Sequence, residues 1–283
     1  MIFDWDAWWA LEMSDGPCRH VKYLQTLVDW YAALHRRNVA VDVVGADADL
    51  SRYRMICAPV LFMVPTGFAD RVSTAVDAGT SFVTGVLSGR VDDDDLAHLS
   101  DLPGPFAELC GVRVDETDSL PPDRRNAVIT GDGRSFGCSL VHDLVQPTDA
   151  DVIGVYAEDF YAGTAAVTHR RAGNGHAWYA GTLLDADGLD WIIAEITATA
   201  GVDPVLAGVG YPIEVTERHR DDTSYLFILN HASAYATVTV NRAGTSLLDR
   251  HPVVAGQTMQ LEPHGVMIIM SPRPAGRQSP DQS

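Results

Sequence analysis

MICAPVLFMVPTGFADRVSTAVDAGTSFVT, residues 55–84, is the stretch that decides the fold. Two short apolar runs, 55–60 and 81–84, bracket a segment in which Val72, Ala75 and Val76 recur at helical spacing. Thr66 is placed to cap the start of that helix and Gly79 to stop its end. Strand, helix, strand is the unit from which parallel sheets are built. Upstream, 39–44 reads as a second strand and 1–3 as the end of another, running into Asp4-Trp5-Asp6-Ala7-Trp8-Trp9. Asp15-Gly16-Pro17 reads as a helix start, and Val21, Leu24, Leu27, Val28, Tyr31 and Leu34 then form one apolar stripe. Downstream come a loop with Ser88-Gly89-Arg90 and the acidic run Asp92 to Asp95, a short helix at 103–110 and a strand at 112–114.

Strands follow at 127–130, 135–141, 151–156, 165–170 and 176–180, with Gly173-Asn174-Gly175 as a hairpin turn between the last two. A helix over 187–200 buries Leu189, Ile192, Ile193 and Ile196 and closes the domain. The expected architecture is α/β, a mostly parallel sheet with helices on both faces. Near Pro204 helical spacing gives way to short alternating runs at 213–217, 225–229, 237–240, 258–261 and 266–270. The chain therefore divides into a first domain, 1–204, a small all-β domain resembling a sandwich, 205–270, and a polar tail, 271–283, expected to be disordered.

The 283 residues are 46% hydrophobic and 20% charged, enough to bury a core. With 38 Asp and Glu against 20 Lys and Arg, the formal charge of −18 repels a phosphate backbone or an anionic membrane, so neither nucleic acid nor membrane is an expected partner. Cys18, Cys57, Cys110 and Cys138 stand far apart without a CxxC, and Cys57 and Cys110 read as buried core thiols. With no signal-peptide pattern and no membrane-length apolar run, the expected location is a reducing cytoplasm.

Motifs for cofactors or metals are missing. There is no GxxxxGK and no HExxH; Gly131-Asp132-Gly133 reads as a β-turn, and His142, His169 and His176 fall in strands as core or surface residues. No cofactor is expected. In amidotransferase-like sheets a Cys or Ser nucleophile sits on a strained elbow after a central strand. The matching segment is Gly85-Val86-Leu87-Ser88-Gly89, with neither cysteine nor GxSxG; Ser88 as nucleophile with nearby His98 stands against Ser88 as a loop serine. Asp92 to Asp95 are adjacent, not the paired carboxylates across a sugar that glycoside hydrolysis uses, and read as a solvated loop. Trp5, Trp8 and Trp9 beside Asp4 and Asp6 either stack on a sugar ring or pack a sheet edge or domain seam. Loops holding 5–9, 59–65 and 88–95 should converge beyond the carboxyl ends of the strands.

These segments resemble glycoside hydrolase family 42 β-galactosidases. The match runs through Asp4-Trp5-Asp6-Ala7-Trp8-Trp9-Ala10-Leu11-Glu12, Trp30-Tyr31, Val41-Asp42-Val43-Val44, Asp49-Leu50-Ser51-Arg52-Tyr53-Arg54, Ser88-Gly89, Pro103-Gly104-Pro105 and Gly111-Val112-Arg113-Val114. It continues through Ala165-Ala166-Val167-Thr168, Ala177-Trp178-Tyr179, Tyr225-Leu226-Phe227 and Leu229-Asn230-His231. The resemblance implies a trimerisation domain of amidotransferase-like (flavodoxin-like) fold followed by a small β domain, with both catalytic glutamates on a barrel that has no counterpart here. It implies no catalytic residue in this chain, a homotrimer, and a separately encoded or removed barrel as partner. Arg90 departs from the family's small apolar residue, as do Asp93-Asp94-Asp95 and Ser100-Asp101 from its usual loop. Asp4, Trp5, Asp6, Trp8, Trp9 and Arg90 are the candidates for sugar or interdomain contact. A stand-alone sugar-binding module is the alternative function.

Overall fold

The computed structural model of the chain describes residues 1–14 and 16–273. Asp15, the expected acidic cap, lies outside them, as does the expected tail from 274 to 283; Ser271 and Pro272 belong to a strand instead. By contact density the chain divides into two units, the first comprising Met1–Tyr31 and Asp42–Val202, the second Ala32–Val41 with the residues from Asp203 onward.

The opening aromatic segment is not a loop. Asp4 accepts a hydrogen bond from the Ala7 N–H at 2.8 Å and caps helix α1, Trp5–Met13. Helix α2, Tyr23–Arg36, begins later than Pro17 suggests. Its buried face holds Tyr23, Leu27, Trp30 and Leu34, while Leu24, Val28 and Tyr31, expected to be buried, face solvent. Strand β1 (Met55–Ala58), helix α3 (Phe68–Asp77) and strand β2 (Ser81–Gly85) form the expected unit, with β1 and β2 parallel. The cap of α3 differs: Gly67, at φ 76°, occupies it without a side-chain bond, and the Thr66 N–H goes to Asp93 Oδ2 at 2.9 Å.

A turn at Gly104–Phe106 leads into short helix α4 (Ala107–Cys110). Then come β3 (Val112–Ser119), β4 (Asn126–Thr130), β5 (Ser135–Pro147), β6 (Asp151–Tyr156), β7 (Ala165–Ala172), β8 (Gly175–Ala180), β9 (Thr182–Leu184) and helix α5 (Ala186–Thr199). Among the described residues these make one sheet in the order β1-β2-β8-β7-β6-β4-β5-β3, with β9 beside β5. It is mixed, not mostly parallel. Only β1–β2 and β2–β8 pair in parallel, and β3 to β7 join by antiparallel pairings. The reason is that strands linked by short turns can only meet antiparallel, whereas parallel neighbours need a crossover. The expected strand at 39–44 reduces to one parallel bridge between Ile2 and Val44, with Val43 exposed.

The hairpin at 173–175 forms as read, Ala172 pairing with Gly175 across Gly173 at φ 55°. Gly175 also admits a close approach: a Cβ there would lie 2.2 Å from the Thr80 carbonyl oxygen. Asp185 caps α5 through the Gly188 N–H and also accepts the Gly137 N–H, both at 2.8 Å, tying the helix to β5.

In this sheet Asp143 of β5 is fully buried. Its carboxylate accepts from Arg90 Nη2 at 2.6 Å, from Thr117 Oγ1 of β3 at 2.5 Å and from the Tyr179 hydroxyl of β8 at 2.6 Å. Its main chain joins as well, the N–H donating to the Gly181 carbonyl and the carbonyl accepting the Tyr156 hydroxyl of β6.

The second unit is all β apart from its 32–41 segment. Strands β10 (Ile213–Arg220), β11 (Thr223–Asn230), β12 (Ala236–Thr239), β13 (Gly244–Ser246), β14 (Pro252–Val253), β15 (Thr258–Leu261) and β16 (Val266–Pro272) form a sheet β10-β11-β16-β13-β14 and a pair β12-β15. β11 alternates strictly between buried and half-buried residues, and Val215, Leu226, Ile228 and Ile269 share a core with Val238 and Leu261 of the pair. Asn38 enters this core at φ 54°, a conformation asparagine tolerates. Its side chain donates to the Val209 and Ile213 carbonyls and accepts the Val215 N–H. In the same unit Glu217, its side chain only 4% exposed, accepts from Arg242 and Ser224. Burial pushes the Glu217 carboxyl up, but these hydrogen bonds outweigh it and hold it below its ordinary 4.5.

Both carboxylates make stability depend on their partners. Arg90→Leu strands a buried carboxylate and should cost about 3–5 kcal/mol in denaturant unfolding, whereas Arg90→Leu/Asp143→Asn removes both charges, keeps an acceptor for Thr117 and Tyr179, and should recover much of that loss. A depressed carboxyl contributes stability above its unfolded value that is lost as pH falls through the lower folded value. Hydrogen exchange of β10 and β11 should therefore show Glu217→Gln destabilised by roughly 2–4 kcal/mol at pH 7, with the gap to the parent closing below the Glu217 carboxyl's ordinary 4.5.

Candidate functional site

The aromatic residues of α1 separate into an inner and an outer set. Phe3 meets Trp5 at 4.9 Å and Tyr23 at 5.8 Å between ring centroids, both edge-on, and Trp8 stacks over Tyr23 at 6.5 Å. Tyr23 is buried, its hydroxyl accepts the Asp4 N–H at 2.9 Å, and burial pushes its phenol well above the ordinary value. Trp8 is thus a packing residue joining α1 to the start of α2. Trp5 and Trp9 point outward, 56% and 55% exposed, and Met13 one turn further is 83% exposed. These three recur at i, i+4 and i+8 and make one apolar helix face.

Asp6 is exposed on the same helix, whereas Asp4 is spent on its cap. Burial raises the Asp4 carboxyl, opposed by the Ala7 hydrogen bond and reinforced by Asp6 and Asp93. The acidic loop is internally ordered: Asp92 Oδ1 accepts the N–H groups of Asp94 and Leu96, both at 3.0 Å. It also meets the 59–65 segment, since Gly89 and Arg90 donate to the Leu61 and Phe62 carbonyls at 2.9 Å and Met63 bridges Val91. Of the three segments expected to converge, 59–65 and 88–95 therefore meet, while 5–9 is helical. Arg90 has its guanidinium turned inward onto Asp143 instead of toward the tryptophans.

The elbow after β2 has the backbone of a strained turn without its chemistry. The positive φ, 64°, falls on Leu87, which is fully buried. Ser88 is equally buried, and its Oγ accepts the Leu61 N–H at 3.0 Å. A nucleophile needs an exposed oxygen and a base; Ser88 is the loop serine. Gly89, at φ 65°, packs so closely that a Cβ would sit 2.0 Å from the Pro103 carbonyl oxygen.

Burial pushes the thiols of Cys57, Cys110 and Cys138 up to about 12, making them unreactive core residues. His142 is buried between Tyr156 and Tyr161, and burial lowers its pKa. His169 and His176 share a hydrogen bond of 2.8 Å and stack beside Trp178. Among the described residues no cluster of three or more His, Cys, Asp or Glu is arranged to hold a metal ion, and no helix is long and apolar enough to cross a membrane.

Sequence reasoning missed Asp143, Leu87 and the outward row of α2. A lone acid inside the apolar run of β5 was the available sign of the first. The positive φ on Leu87 leaves no mark in the sequence.

Comparison with known proteins identifies the family. Residues 1–203 match the family described as β-galactosidase trimerisation domain, and residues 213–270 match the β-galactosidase C-terminal domain. β-Galactosidase BgaP of Planococcus sp. (strain L4) is 35% identical over 274 residues, which are 95% of this chain and 40% of that protein. β-Galactosidase LacA of Lactobacillus acidophilus is 35% identical over 239 residues, 84% of this chain and 36% of the relative. The crystal structure of β-galactosidase from Bacillus circulans sp. alkalophilus superposes with a TM-score of 0.91 at 33% identity, covering 95% of this chain and 40% of that one. The chain thus spans about 40% of the length of such relatives. By its fold and by these matches, the chain belongs to the trimerisation-domain family of the glycoside hydrolase family 42 β-galactosidases.

Proposed function

We propose that this chain is the non-catalytic assembly and scaffold part of a β-galactosidase-like glycoside hydrolase, that it forms a homotrimer, and that a catalytic barrel is its partner. The observation that carries the reading is the match of residues 1–203 to a trimerisation domain, in relatives of which the chain spans only 40%. The site supports it. The elbow offers a buried leucine and a committed serine, and the acidic loop spends Asp92 and Asp93 on backbone N–H groups. The fold is read as amidotransferase-like in its parallel β1-β2-β8 part, where that elbow sits. The apolar face of Trp5, Trp9 and Met13 is the seat we assign to the barrel, since half-exposed tryptophans are the side chains most enriched at buried contact centres. The unpaired thiols Cys57, Cys110 and Cys138 suit a cytoplasmic location.

A second reading, a stand-alone module that binds galactosides, is favoured by one observation: Trp5 and Trp9 present indole surface beside the exposed carboxylate of Asp6.

Light scattering of the purified chain at tens of micromolar should return the mass of three copies; a single-copy mass throughout that range contradicts the assembly role. Tryptophan fluorescence should stay constant as lactose is raised to millimolar levels, and a saturable change abolished by Trp5→Ala/Trp9→Ala would favour the sugar-binding module instead.

A further inference from the structure

We infer that the cavity beyond the carboxyl ends of β1 and β2 binds a small neutral amide, a compact molecule with a C=O, an N–H and an alkyl body. The cavity has a volume of about 500 Å³, within the range of small-molecule pockets. Phe62, from the segment after β1, and Arg90, His98 and Asp101, from the segment after β2, line it together with Leu102 and Val114. Ligands of open α/β sheets sit beyond the carboxyl ends of parallel strands, and β1 and β2 are a parallel pair. The elbow serine of the same region is committed to Leu61, so the place is suited to binding and not to bond cleavage. The inference does not depend on the assembly reading above.

Two unanswered nitrogens point to what the cavity takes. Arg90 Nε and His98 Nε2 are both buried, and neither has a hydrogen-bond partner. Arg90 spends Nη2 on Asp143 and Thr117, which leaves Nε–H as a donor without an acceptor. With its hydrogen on Nε2, His98 is a second such donor. The His98 main-chain N–H donates to the Arg90 carbonyl at 3.2 Å, which keeps the two residues side by side. A buried donor left unpaired costs stability, and one oxygen with two lone pairs answers both. His98 stands between exposed Ala97 and Leu99, so turning its ring outward gives a ligand access to the two nitrogens. Charge and polarity then decide the class. The Arg90 charge is already met by Asp143, Asp101 adds a carboxylate and the chain carries −18, which disfavours an anion. Phe62, Leu102 and Val114 would strand the further hydroxyls of a sugar. That wall is fixed, since the Val114 N–H donates to the Leu102 carbonyl at 2.8 Å. An amide suits every part: its oxygen takes the two donors, its N–H goes to Asp101 and its alkyl group lies on the apolar wall.

The test titrates N-butylacetamide into the isotope-labelled full chain and follows the Arg90 side-chain Nε–H signal by NMR. The signal should shift saturably, with a dissociation constant of roughly millimolar order for so small a ligand. His98→Ala should weaken binding about tenfold, the worth of one hydrogen bond. Butyl acetate, which lacks the N–H, should bind more weakly than the amide, and Asp101→Ala should abolish that difference. Hexanoate and lactose should leave the signal in place. If His98→Ala fails to fold, the parent protein and the ligand series decide alone. No saturable shift at tens of millimolar amide overturns the inference, as does hexanoate or lactose binding as tightly as the amide. None of these outcomes bears on the number of copies in the assembly, which light scattering reads separately.

Discussion

A single buried carboxylate holds the first unit together. Asp143 sits where water cannot reach it, and a charge there is tolerated only when its lone pairs are all answered. Arg90, Thr117 and Tyr179 answer them, drawing the loop after β2, strand β3 and strand β8 onto the middle of β5. The same demand explains Arg90. Its guanidinium has its compensation inside the protein, 2.6 Å from the Asp143 carboxylate. With Arg90 pinned, the elbow at 86–89 is pinned too, its strained residue a leucine and its serine bonded to Leu61. Geometry that elsewhere exposes a nucleophile here serves packing.

Much of the fold was legible where local chemistry and global structure agree. The glycine-rich hairpin at 173–175, helix α3 between its flanking strands, and the alternation of β11 all read directly from residue type and period. The direction of the strands was harder. The first strand, helix and strand suggest a parallel sheet, but the stretch from 112 to 184 contains no helix to carry a crossover, and that absence was the signal for antiparallel pairing. Residues 39–44 have a strand's composition, yet half of them face water and only Val44 pairs.

The site was legible in part. Asp4 as a capping residue was readable, but the helix behind it was hidden, because Trp-Asp-Ala-Trp-Trp-Ala-Leu-Glu-Met is apolar nearly all round and gives no clear period. In α2 the difficulty was reversed. Two apolar rows on one helix add into a single strong pattern, and nothing local tells which row the protein covers itself. The distinction lies in tertiary packing, in Tyr23 wedged under Trp8 and against the Asp4 amide. The residues left outside, on both helices, include exposed large apolar side chains.

The second unit is built from two stretches far apart in the chain, 32–41 and the residues after 203, stitched by Asn38. Its modularity is therefore spatial and not genetic. Recombination that joined a new C-terminal segment at the obvious seam near 204 would leave the 32–41 stretch behind, and the newcomer would have to fit it, Asn38 included. Such a module is inherited with the sequence that precedes it, which would keep the two travelling together through evolution even if the small β unit contributed nothing to chemistry.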